Sequence, residues 1–135
     1  MRAVIVCAAL LSCLRAPLCA AADDCSAIET PVEQRECLET LATKTDGEVE
    51  RIEGQLRSRI ALWEQGPVHI SRSLALFEQE SVAYRAYRQT HCALLASSAA
   101  GGNGASDMRA VCEVDLDRDR IAAIRDALGS FDPGD

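Results

Sequence analysis

The chain has 135 residues and a formal net charge of −7, with 21 acidic residues against 14 lysines and arginines. That length is one domain's worth of sequence. So acidic a balance excludes a nucleic-acid binder, because gripping a phosphate backbone requires neutralising it with Lys and Arg. A cationic protein, by contrast, is drawn toward such a chain.

The first segment reads as an address rather than as structure. Met1-Arg2 is a short positive start, Ala3 to Leu14 is apolar, and Ala20-Ala21-Ala22 is a small-residue cleavage patch before Asp23. That order is a secretory signal peptide, and the apolar run is shorter than the ~20 residues a stable membrane span needs. Leu10-Leu11-Ser12-Cys13 resembles a lipoprotein box in which Cys13 takes a lipid anchor, but Leu11 is out of place there and a better soluble-type site follows. The expected division is a signal peptide over 1–22, a helical domain over 23–130 and a disordered tail over 131–135. Losing Arg2 and Arg15 leaves 12 cationic residues against 21 acidic ones, a net charge of −9.

Four helical segments follow. Thr30-Pro31-Val32-Glu33 is a capping box with proline at the first helical position, and its helix runs to about Thr43. Thr45-Asp46-Gly47-Glu48 repeats the cap logic, so the next segment is either a second helix or the bent continuation of the first. There Val49, Ile52, Leu56, Ile60 and Trp63 form one apolar stripe at helical spacing. Gly66-Pro67 breaks the chain. The third helix is expected from Ser71 or Ser73 to about Ala96, with Leu74, Phe77, Tyr84, Tyr87 and Leu94 inward. Ser97 to Ser106 reads as a flexible loop. Asp107 opens the fourth helix, striped by Val111, Val114, Ile121, Ile124 and Leu128, and Phe131 onward reads as a frayed tail. No segment alternates with period two. The expectation is an all-α fold, a small antiparallel bundle of three to four helices.

Cysteine usage adds staples. Cys7, Cys13 and Cys19 belong to the export segment, leaving Cys25, Cys37, Cys92 and Cys112. An even number in a short exported chain reads as a disulfide framework. Three pairings are open, and spacing favours Cys25–Cys37 with Cys92–Cys112, each closing a short loop worth about 3 kcal/mol. Zinc is disfavoured because no CxxC pair is present.

Catalytic patterns fail one after another. His69 and His91 are the two histidines. His91 adjoins Cys92, but neighbours on a helix point about 100° apart, and an oxidised Cys92 is no nucleophile. Asp115, Asp117 and Asp119 imitate the opening of a calcium loop, but Arg120 and Asp126 stand where that loop needs glycine and glutamate. There is no GxSxG elbow, and Gly101-Gly102-Asn103-Gly104 lacks the strand a dinucleotide site requires. The expectation is no enzyme, no metal and no cofactor.

One constellation is more specific. Cys25, Glu33 with Cys37 four residues on, Asp46, the run YRAYRQTHC ending at Cys92, a glycine-containing loop, and Cys112 with Leu116 and Arg120 behind it occur in that order. This pattern resembles the LprI-like lysozyme-inhibitor family of small exported bacterial proteins, from about Cys25 to Leu128. Its most specific parts are Tyr87-Arg88-x-x-x-Cys92 and the step Cys112, Leu116, Arg120. Ser81 stands where family members typically carry glutamine, and Tyr84 where they carry tryptophan. The resemblance implies a helical fold, an exported location and inhibition of lysozyme. Tyr87, Arg88 and Arg120 are read as structural, tying helices together with an arginine paired to a carboxylate such as Glu33 or Asp46.

Two functions are therefore expected to compete. One is a periplasmic or secreted binding protein that inhibits a cationic lysozyme and protects the cell wall. Its inhibitory element would be the loop bearing Ser97, Ser98, Gly101, Gly102, Asn103 and Gly104, pinned by Cys92–Cys112. The other is a non-enzymatic structural or envelope-stress module that binds another envelope protein or pairs with itself through its apolar stripes.

Overall fold

The protein, seen in a computed structural model, is described over residues 24–102 and 104–131. Residues 1–23, which hold the expected signal segment and Cys13, together with Asn103 and Asp132 to Asp135, lie outside the described residues. Three helices follow in chain order: α1 (Pro31–Ala61), α2 (Pro67–Ser97) and α3 (Gly104–Ser130), with no strand among the described residues. None of them is long and apolar enough to cross a membrane.

The caps explain the helix starts. The Thr30 hydroxyl accepts from the Glu33 amide at 3.3 Å and donates to the Glu33 carboxylate at 2.6 Å, ahead of Pro31. Gly66 caps α2 and Pro67 is its first residue. A proline there loses no helical hydrogen bond and has φ already set, so α2 starts a full turn before Ser71. The chain between Thr43 and Thr45 does not break. Thr45 is buried, its hydroxyl within reach of the Ala42 carbonyl (3.1 Å) and the Asp117 carboxylate (3.0 Å), so it anchors the middle of α1 instead of capping a new helix.

The expected loop is also shorter than its composition suggests. Ser97 still belongs to α2, and Gly104 to Ser106 already belong to α3. The reversal is made at Ala100 and Gly101, whose φ values of 49° and 78° turn the backbone left-handed. Glycine tolerates that angle freely, Ala100 at some strain.

Two disulfides fasten the end of the bundle where α1 and α3 begin and α2 finishes, Cys25–Cys37 with Cα atoms 6.0 Å apart and Cys92–Cys112 at 5.6 Å. The main core joins Val49, Ile52, Leu56 and Ile60 of α1 to Phe77 of α2 and to Ile121 and Ile124 of α3. A smaller cluster of Cys25, Leu38 and Ala110 closes the far end. Phe131, assigned from sequence to the tail, packs against the main core and meets Trp63 edge-on at 5.0 Å.

Helix α2 departs most from expectation. It is the least buried of the three, contributing Phe77, Ser81, Cys92 and Ala96 to the interior. Tyr87 and Leu94 do not face inward: they are 53% and 67% exposed. Aromatic and aliphatic spacing identified them as core, but they lie one quarter to one third of a turn away from the side that meets α3.

Candidate functional site

Between the two apolar clusters the bundle is filled by charge. Arg88 of α2 reaches across to α3 and holds Asp117 in both hands, Nε to Oδ1 at 2.7 Å and Nη2 to Oδ2 at 3.0 Å. Asp117 has no solvent exposure at all. Its carboxylate also accepts from the Tyr84 hydroxyl at 2.6 Å and from Thr45 of α1, so all three helices meet on one anion. Asp46 and Glu113 stand 3.7 Å from the Arg88 guanidinium on its outer side.

One helical turn further along, Arg120 repeats the arrangement. Its Nε and Nη2 donate to Glu53 of α1 at 3.2 and 3.1 Å, its Nη2 also to the Ser81 hydroxyl at 3.1 Å, and its Nη1 to Glu80. The guanidinium lies 5.2 Å from the Tyr84 ring centre and 5.9 Å from that of Phe77, within cation–π range. Glu53, itself buried, takes a further bond from Arg85 at 2.8 Å.

The electrostatics follow from this geometry. Burial alone would lower the Arg88 and Arg120 pKa values. The bonds and charges of Asp117, Glu113 and Asp46 around Arg88, and of Glu80 and Glu53 around Arg120, outweigh burial and hold both above the ordinary arginine value. Burial, helped by the bond to anionic Asp117 and its charge, pushes the Tyr84 phenol far above its usual value. Among the described residues no buried side-chain nitrogen or oxygen lacks a partner. A half-satisfied ionic layer would be worse than an apolar one; this one is complete.

Such a layer positions helices, each of its buried polar groups being committed to a partner. The four cysteines of the domain are bonded in pairs. His91 stacks on Tyr87, ring centres 5.1 Å apart. No group of three or more metal-binding side chains occurs among the described residues.

Of the residues singled out in the sequence, the fold gathers Asp46, Tyr84 and Arg88 around Asp117, and Arg120 stands next to them on Glu53. Leu116 is half-buried beside them on α3. Glu33 is not an arginine partner; it serves the Thr30 cap. Asp46 is a secondary neighbour of Arg88 rather than its main anion. Tyr87 ties no helices together, because its ring is outside and its contact is within α2. The two central carboxylates, Asp117 and Glu53, escaped sequence reading. Their signal was positional: Asp117 falls between Val114 and Ile121, and Glu53 between Val49 and Leu56, on the apolar stripes themselves. A charge at a core position needs a buried partner.

At the tip between α2 and α3, the Ser97 and Ser98 hydroxyls donate back to the Leu94 and Leu95 carbonyls at 2.6 and 2.7 Å. Gly101, Gly102 and Gly104 are exposed. The Cys92–Cys112 bond joins the two helices behind them.

Compared with known proteins, the chain finds no match among curated sequences or among solved structures. A family model does match it, that of the lysozyme inhibitor LprI, over residues 21–124. The matched stretch runs from ahead of the first disulfide to the last buried isoleucine of α3, and takes in the whole ionic layer. On that match the chain belongs to the LprI lysozyme inhibitor family.

Proposed function

We propose that this protein is exported to the periplasm or beyond and inhibits lysozyme there by binding it, protecting the wall of the cell that makes it. The family match over residues 21–124 carries this reading. Lysozyme cleaves glycosidic bonds with two carboxyl groups in a cleft, and an inhibitor needs only a rigid body that occupies the cleft. Two disulfides and a saturated ionic layer supply rigidity, and the acidic balance favours encounter with a basic enzyme.

The candidate inhibitory element is the α2–α3 tip, with Ser97, Ser98, Gly101, Gly102, Asn103 and Gly104. A cross-link behind the tip lowers the ordering cost of inserting it. Both serine hydroxyls donate to carbonyls, and the Gly102 N–H and C=O are bonded to the Ala99 carbonyl and the Ala105 amide, so the tip offers a small, exposed and well-held surface rather than free donors. The competing reading, a structural or envelope-stress interaction module, draws support from the uncovered side of α2.

Following the turbidity of a cell-wall suspension with purified lysozyme and the exported chain tests the proposal. Lysis should slow in proportion to added protein, and less so as salt rises. An unchanged lysis rate with the protein in large excess would overturn inhibition. Shortening Gly101-Gly102-Asn103-Gly104 to one glycine, with fold and disulfides confirmed, should weaken inhibition; full inhibition by that variant moves the contact surface off the tip.

A further inference from the structure

The uncovered side of α2 is organised. Leu76, Ala83, Tyr87 and Leu94 recur at steps of seven, four and seven, which places them on a single stripe of the helix. Leu76 is 56% exposed, close to the values for Tyr87 and Leu94. Leu76 and Ala83 also line an open groove of about 650 Å³, floored by Leu56, Ile60 and Phe77 and closed at one end by Phe131. The stripe and the groove are therefore continuous. Charge is sparse on this side: Glu80, which lines the groove, is paired with Arg120, Arg85 and Arg88 turn to Glu53 and Asp117, and the stripe residues Ala83, Tyr87 and Leu94 are uncharged.

We infer that this stripe is the contact by which two copies of the chain pair, α2 against α2 in antiparallel orientation. The spacing is self-complementary. Leu76 and Leu94 are equally far from the midpoint between Ala83 and Tyr87, so a two-fold axis at that midpoint sets Leu76 against the partner's Leu94 and small Ala83 against the partner's Tyr87. Each copy then offers its groove to the other's projecting side chains, so the same contact occurs twice across the axis, as an isologous interface requires. Charge complementarity selects the occupant: a basic enzyme is best met by the acidic surfaces of the chain, whereas an uncharged strip fits another uncharged strip. The strip is about 27 Å long and about 10 Å wide, small beside the ~800 Å² per partner of a standard stable interface. The pairing is accordingly weak and concentration-dependent, and because it brings two acidic copies together it strengthens as salt rises.

Sedimentation of the exported chain from low micromolar to millimolar concentration tests this. The weight-average mass should climb toward twice that of the protomer, further at high salt. Tyr87→Glu and Leu94→Glu, at exposed positions where the fold is safe, should each weaken pairing about tenfold or more, since symmetry counts every residue twice. Val32→Glu, exposed on α1, should leave it unchanged. Mixing Leu76→Glu with Leu94→Lys copies should restore a mixed dimer that neither forms alone. A monomer at every concentration and salt, or a dimer indifferent to Tyr87→Glu and Leu94→Glu, overturns the inference. So does a monomer that loses lysozyme binding on Leu94→Glu, which assigns the stripe to the enzyme instead.

Discussion

Replacing Arg88 with alanine should destabilise this protein more than any other single surface-to-core truncation of a charged residue on α2. The variant leaves Asp117 with no solvent and no cation, and removes two of the four hydrogen bonds its carboxylate accepts. Breaking a buried ion pair from one side costs about 3–5 kcal/mol, a large share of the ~5–15 kcal/mol that holds a domain of this size together. At roughly 4 °C per kcal/mol, melting should fall by about 12–20 °C. Arg88→Lys keeps the charge but not the two-pronged geometry and should lie between the two. Replacing the whole group with apolar side chains (Arg88→Met, Asp117→Leu, Tyr84→Phe) should recover most of the loss, because the penalty comes from stranding a charge rather than from losing an attraction. Thermal and urea unfolding followed by circular dichroism measure all three. A melt of Arg88→Ala within about 2 °C of the parent, well under the 1 kcal/mol equivalent, would refute the buried-pair argument. Full stability with lost lysozyme binding would make Arg88 a contact residue instead.

Two further outcomes follow from the same geometry. Serine at both Cys92 and Cys112 opens a link across a sequence separation of 20 and should cost about 3 kcal/mol in urea unfolding; the parent, mapped without reduction, should show Cys92 joined to Cys112 and Cys25 to Cys37. Tyr84 keeps its proton in the folded state above the ordinary value of 10.0, so its contribution is complete below that pH and is lost as pH rises beyond it. Alkaline unfolding of the parent should accordingly be steeper than that of Tyr84→Phe, and identical profiles would refute the assignment.

Much of the fold was legible because three stretches of chain carry long apolar stripes bounded by recognisable stops. Pro31 behind Thr30 and Pro67 behind Gly66 mark two helix starts, and the even count of cysteines after the expected signal segment points to the disulfides. Errors arose where a local signal was overridden by a partner far away in sequence. Thr45 resembles a cap until Asp117 is brought beside it, 72 residues distant, and then it serves best inside an unbroken helix. The glycine-rich tip reads as a long loop, yet the disulfide between Cys92 and Cys112 holds α2 and α3 close enough for both to extend into it. Asp117 enters only through a failed calcium-loop pattern and Glu53 not at all, because acidic residues on helices usually form a solvated face; only the arginines of other helices show otherwise. Tyr87 and Leu94 failed in the opposite sense, as apolar residues in register with a core they do not reach.

Ser81 and Tyr84, which stand where the resemblance leads one to expect glutamine and tryptophan, are coupled through Arg120. The Ser81 hydroxyl accepts from Arg120, but it is shorter than a glutamine amide and takes one bond, leaving the guanidinium to find Glu80 at the surface as well. Tyr84 lies with its ring against that same guanidinium and its hydroxyl on Asp117. A tryptophan offers a ring and one N–H, but the phenol oxygen stands at the far end of its ring, where it can touch one ion pair while the face covers the other. Through Tyr84 the Arg88–Asp117 and Arg120–Glu53 pairs become one connected layer with members on all three helices. Sliding any helix by one residue would strand at least one buried charge, whereas an apolar layer would tolerate the slip. The register of α2, and with it the position of the tip and the outward stripe, is therefore fixed by the charges inside.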